Sequence, residues 1–146
     1  MATVNDILRG KGQDIWAVDP EETVLNALKL MADKGIGAVM VMTDGQVRGI
    51  VSERDYARKV VLQGRSSANT PVKEIMTSRV FAVTPNHSVE DCMSLMTEKR
   101  IRHLPVMDEG KLVGVISIGD VVKIMLTEKS LIIDQLTNYI TTGGYA

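Results

Sequence analysis

The sequence predicts an α+β fold made of two tandem β-α-β-β-α repeats, and three observations predict it. Shifting the chain by 65 residues aligns 15–61 with 80–126 without a gap, and 14 of the 47 aligned positions are identical. Within each copy the apolar pattern passes from strand to helix periodicity in the same order. The heptapeptide GIVSERD at 49–55 returns as GVISIGD at 114–120. Self-similarity on this scale fixes the architecture before any single element is assigned.

Each copy opens on a short apolar run, Ile15–Val18 or Val80–Val83, that ends at Pro20 or Pro85 and predicts a strand. Thr23 then precedes Val24, Ala27, Leu28 and Met31, and Ser88 precedes Val89, Cys92, Met93 and Met96. Apolar residues at that spacing predict an amphipathic helix, and Ser88 with Asp91 fits a capping box. AVMVM at 38–42 and HLPVM at 103–107 follow as strands. The turns TDGQ and DEGK place Gly45 and Gly110 where a hairpin needs positive φ. VRGIVS and LVGVIS return as the second strands, and a second helix starts near Asp55 and near Asp120.

Upstream, VNDIL at 4–8 is similar to VKEIM at 72–76 at a shift of 68, so the first copy carries three extra residues around RGKGQ. The expected organisation is a first repeat at 4–61, a polar linker at 62–71 (LQGRSSANTP), and a second repeat at 72–126. Residues 127–146 form an extension whose Leu131, Ile132, Ile133, Leu136, Tyr139 and Ile140 predict extra helix before GGYA ends it. Nothing in the second repeat is left to cover those side chains, which points to a dimer contact, or to a helix folded back on its own chain.

Bulk composition excludes several classes. The chain has 146 residues, 45% of them apolar, enough for a substantial core. Lys plus Arg (17) nearly balances Asp plus Glu (18), so net charge supports no nucleic-acid partner. No apolar run reaches the roughly 18 residues of a membrane span, and the N-terminus lacks the apolar block of a signal peptide. A lone cysteine, Cys92, excludes an internal disulfide and a cysteine metal cluster. A cytoplasmic protein is expected, and most of the nine methionines read as core packing.

The doubled turn carries the chemistry. Gly49 and Gly114 permit close approach of backbone or ligand. Ser52 and Ser117 stand where strand gives way to helix, and a hydroxyl with free N–H groups there suits a phosphate. Asp55 and Asp120 follow in the first helical turn, where the dipole favours an acid. A carboxylate is also a natural acceptor for two vicinal ribose hydroxyls. The same residues serve equally as helix caps. Recurrence in register, inside a complete duplicated unit, favours paired ribose-phosphate sites.

The tandem repeat, the HLPV-type strand and the G-h-h-S-x-x-D turn (h, aliphatic) together resemble a cystathionine-β-synthase (CBS) domain pair, or Bateman module, of the small bacterial type. The resemblance covers residues 4 to about 126. It implies two repeats packed sheet to sheet about a pseudo-twofold axis, two clefts for adenine nucleotides, and a homodimer. By that analogy one site combines Ser52, Arg54 and Asp55 with Val80, Phe81 and Ala82. The other combines Ser117 and Asp120 with Ile15, Trp16 and Ala17, where Trp16 either stacks on the purine or serves the core or an interface. Arg100, Arg102 and His103, just before Leu104 and Pro105, are implied to hold phosphate, as is Lys11, each alternatively a solvated surface base. The copies diverge here, because Gly37 and Ala38 stand in place of Arg102 and His103, Met40 in place of Pro105, and Arg54 in place of Gly119. The two clefts are therefore expected to differ.

The function implied is a non-catalytic regulatory or sensor module. AMP is the first ligand expected, then ADP, ATP, NAD(H) and S-adenosylmethionine, with a partner protein regulated in trans. The alternative is a dimeric scaffold indifferent to nucleotide. No catalysis and no metal site are expected, since Cys92, His87 and His103 have no partners at triad or metal-ligand spacing.

Overall fold

The computed structural model describes residues 1–138. The chain forms two compact units, one of residues 14–82 with Glu109–Val113, the other of residues 1–13 and 83–108 together with the described residues from Gly114 on. Tyr139, Ile140 and the GGYA end lie outside the described residues.

In the 14–82 unit, β1 (Ala17–Val18), β2 (Ala38–Thr43) and β3 (Gln46–Ser52) form one sheet in that order. β1 runs parallel to β2, with Ala17 opposite Met40, and β2 runs antiparallel to β3, with Ala38 opposite Ser52. Asp44 and Gly45 both hold positive φ at the hairpin, as the TDGQ motif requires. Helix α2 (Val24–Lys34) is capped by Thr23 Oγ1, which accepts from the Asn26 N–H at 3.1 Å, and ends at Gly35 in the left-handed region. Val24, Ala27 and Met31 turn inward against Val39, Val41, Val51, Val60, Val72 and Ile75 in one buried cluster. Branched side chains suit both the strands and the wall facing α2, and valine supplies six of the nine buried residues of this cluster. Helix α3 (Glu53–Tyr56) continues as a π-helical turn over Ala57–Val61.

The expected linker is stitched down at its end. Val24 N–H donates to the Thr70 carbonyl at 2.8 Å, Val72 N–H to Glu22 at 2.8 Å, and Thr70 itself is buried with its hydroxyl on the Ser66 carbonyl. The first of these bonds serves the start of α2, whose first N–H groups lack partners within the helix.

In the other unit, α1 (Val4–Lys11), α4 (Val89–Lys99) and α5 (Ile118–Asn138) accompany β4 (His103–Asp108) and the Gly114–Ser117 end of its hairpin partner β5 (Lys111–Ser117). Its core holds Val4, Ile7, Leu8, Val83, Val89, Cys92, Met96, Leu104, Val106, Ile116 and Val121. Burial pushes the Cys92 thiol up to about 11, with the Asp91 carboxylate adding to it, so it is an inert packing residue at neutral pH.

Four expectations are corrected. The strand expected over Val80–Val83 reduces to a single parallel bridge between Val83 and Val106. The reason is Pro105. In the first repeat Met40 N–H donates to the Trp16 carbonyl at 3.0 Å, and the equivalent of Met40 is a proline with no N–H to give Phe81. The first-repeat strand is likewise shorter than expected, pairing only at Ala17 and Val18. The box at Ser88 forms by half, with Asp91 N–H on Ser88 Oγ at 3.0 Å, while Ser88 bridges to Thr3. Finally, the second helix of the second repeat and the extra helical stretch are one uninterrupted α5 of 21 residues.

Candidate functional site

Both Ser–Asp turns are complete reciprocal caps. Ser52 N–H donates to Asp55 Oδ2 at 2.9 Å, and Asp55 N–H donates to Ser52 Oγ at 3.2 Å. Sixty-five residues on, Ser117 N–H meets Asp120 Oδ2 at 2.8 Å and Asp120 N–H meets Ser117 Oγ at 3.2 Å. The capping role weighed from the sequence is therefore real, and it also aims each carboxylate. Each side chain is mostly covered, 15% exposed for Asp55 and 22% for Asp120.

The strand pairing decides which residues flank each turn. Glu53 N–H donates to the Gly37 carbonyl at 3.0 Å, and Ala38 lies opposite Ser52. In the other unit Ile118 N–H donates to the Arg102 carbonyl at 2.8 Å, the same bond one repeat later. Arg102 and His103 therefore belong beside Ser117 and Asp120, whereas the Ser52–Asp55 turn has Gly37, Ala38 and its own Arg54. Bases thus stand at both turns, Arg102 and His103 at one and Arg54 at the other.

Each acid is met by a lysine, from a different place in each case. Lys59, in the π turn, lies 3.1 Å from Asp55 Oδ1 and donates to the Ile75 carbonyl at 2.8 Å. Lys11, at the end of α1, donates to Asp120 Oδ2 at 2.7 Å and to the Val115 carbonyl at 2.9 Å. Sequence reasoning singled out Lys11 for phosphate and missed Lys59. The i,i+4 spacing from Asp55 to Lys59 was a signal for the latter.

Electrostatics follow these contacts. Burial raises the Asp120 carboxyl, but the Lys11 ammonium and the Ser117 N–H outweigh it and hold the group below the ordinary carboxylate value. His103 is lowered, by burial first and then by the Lys11 ammonium, against the pull of Asp120. The imidazole is thus a neutral partner at neutral pH rather than a fixed positive charge.

The remaining expected residues are placed as follows. Pro105 is buried and accepts from Val83 N–H through its carbonyl at 3.0 Å. Ile15, Trp16 and Ala17 lie in the 14–82 unit, where Trp16 packs against the valine core with Lys34 Nζ 4.4 Å from its ring centre. That face of the indole is taken by a cation. Val80, Phe81 and Ala82 share the unit of Ser52 and Asp55, three to five residues after Thr77, which pairs with Ile50 of β3. Phe81 is 37% exposed.

The model of the CBS domain matches residues 3–62 and again 72–127. The chain belongs to the CBS domain family. A CBS-domain protein from Burkholderia ambifaria, described as a putative signal-transduction protein, is 55% identical, with a TM-score of 0.85 over 86% of this chain and 95% of that one. The mitochondrial CBS domain-containing protein CBSX3 of Arabidopsis thaliana is 39% identical, over 98% of this chain and 73% of its own length. The CBS domain pair of protein MJ0100, solved with 5′-methylthioadenosine and S-adenosyl-L-methionine, shares the fold at a TM-score of 0.78 with 22% identity over 88% and 98% of the two chains. The fold is thus α+β, a CBS pair, and the chain is a regulatory type of module.

Proposed function

We propose that this CBS pair is a non-catalytic sensor that binds adenine nucleotides at its two Ser–Asp turns, works as a homodimer in the cytoplasm, and regulates a partner protein. The observation that carries it is the duplicated turn itself. Twice, a carboxylate is oriented by its own serine and mostly withdrawn from water, beside a strand end and a cation. Such a group accepts from a ribose diol, and the bases around Asp120 suit the attached phosphate. Val80, Phe81 and Ala82 are assigned to the adenine at the Asp55 turn, whose unit they share. A fold that carries adenosine derivatives in the MJ0100 pair makes the same ligand class the first to try.

Calorimetric titration of the purified protein with AMP, ADP, ATP, NAD and S-adenosylmethionine tests this. Binding is expected with AMP leading. Asp55→Ala and Asp120→Ala should each weaken one site by about 1.5–3 kcal/mol, tenfold or more, because a charge-assisted bond is lost. Absence of heat and of thermal shift at millimolar ligand overturns the reading. Unchanged binding in both variants overturns the site assignment.

A further inference from the structure

We infer that Lys11 is a displaceable gate on the Asp120 turn, and that it makes this site select phosphate-bearing adenine ligands over neutral nucleosides. The inference rests on the adenine-nucleotide reading above and adds the chemistry of selection at one of its two sites.

The Lys11 ammonium bridges Asp120 Oδ2 and the Val115 carbonyl, at 2.7 and 2.9 Å. A carboxylate oxygen and a strand carbonyl side by side are the acceptors that two vicinal hydroxyls need. The lysine therefore occupies the place of a sugar edge, and a ribose that enters must take over those acceptors. The Asp55 turn lacks this arrangement. There Ile50, the counterpart of Val115, has both its N–H and its carbonyl bonded to Thr77, at 3.0 and 2.9 Å. Lys59 instead caps Ile75, so its departure would uncover no strand carbonyl beside the acid.

The lysine is also built to leave. It is the last residue of α1, its side chain is 38% exposed, and Gly12 follows at φ 91°. Once displaced, its ammonium needs an anion. His103 and Arg102 nearby offer none, and the Lys11 charge already opposes protonation of His103. A neutral nucleoside would leave the ammonium to water alone, while a 5′-phosphate, one ribose away from the diol, supplies an anionic partner. The same side chain is thus an obstacle to the first ligand and a contact for the second, which is discrimination by penalty as well as by attraction.

The test titrates the protein and its Lys11→Met and Lys11→Arg variants with AMP and with adenosine, using Asp120→Ala to mark the heat that belongs to this turn. The unaltered site should prefer AMP by about tenfold or more, the scale of one charge-assisted contact. Lys11→Met should bind adenosine more tightly and AMP more weakly, collapsing the ratio, and Lys11→Arg should keep it. An unchanged ratio in Lys11→Met, or equal losses for both ligands, overturns the gate while nucleotide binding stands. If the unaltered protein binds neither ligand, the functional reading fails, and the gate with it.

Discussion

His103 shows how one side chain reports on a whole site. It sits at the start of β4, half-buried, with Lys11 and Arg102 raising the cost of its protonated form and Asp120 lowering it. Its folded pKa lies below the ordinary 6.5, so the unfolded chain takes up a proton that the folded chain refuses. This contribution to stability is full above pH about 6.5 and declines as pH falls through that value. Denaturant melts from pH 7.5 to 5.5 should therefore show a loss of stability that His103→Asn reduces. An identical slope in the variant would mean that the imidazole titrates as freely folded as unfolded. Arg100 makes a separate residue-scale point. It holds φ 56° where the first repeat has Gly35, a left-handed position that costs a non-glycine residue about 1 kcal/mol. The second repeat tolerates strain that the first avoids, two residues before Arg102.

At the scale of elements, α5 is the outlier. Its counterpart in the first repeat is four α-helical residues and a π turn, whereas α5 runs unbroken for 21. Val122, Leu126, Ile132, Ile133 and Leu136 are all exposed along it, from 39% to 60%. Among the described residues no helix is long and apolar enough to cross a membrane, and a row of exposed apolar side chains is the kind of surface that protein contacts cover. A chain ending at Leu126 should scatter light as a monomer where the full chain scatters as a dimer. An unchanged mass would assign dimerisation to another surface. Much at this scale was legible in the sequence, because hairpins and caps are local. TDGQ and DEGK gave their positive-φ turns, and Thr23, Ser88, Ser52 and Ser117 all cap helices. The lost strand at Val80–Val83 was missed, although Pro105, standing where a donor is needed, was the signal for it. The pairing of Lys11 with Asp120 was not legible, because 109 residues separate them and only the folded chain measures that distance.

At the scale of the molecule, the two repeats are not the two compact units. The CBS matches divide the chain into 3–62 and 72–127, yet in space α1 belongs with the second repeat and residues 72–82 with the first. The similar segments VNDIL and VKEIM perform matching tasks in this exchange. Leu8 lies so close over Gly114 that a Cβ there would come within 2.7 Å of it, and Met76 covers Gly49 in the same way at 2.8 Å. The glycine of each heptapeptide is thus fixed by the leader segment of the other repeat. This also explains why the leader had to be read at a shift of 68 rather than 65. It is joined to its own repeat by a connection of different length, and packs against the other.

Such an exchange makes the duplicated gene unusually hard to halve. A break in the 62–69 loop would leave each fragment carrying the other's missing cover, Leu8 on one piece and Met76 on the second. Neither piece alone should give a cooperative melt, and mixing the two should restore one. Autonomy of either fragment would show that the borrowed segment is dispensable. Co-dependence of this kind would preserve a tandem architecture even after one of its two Ser–Asp turns had drifted in sequence.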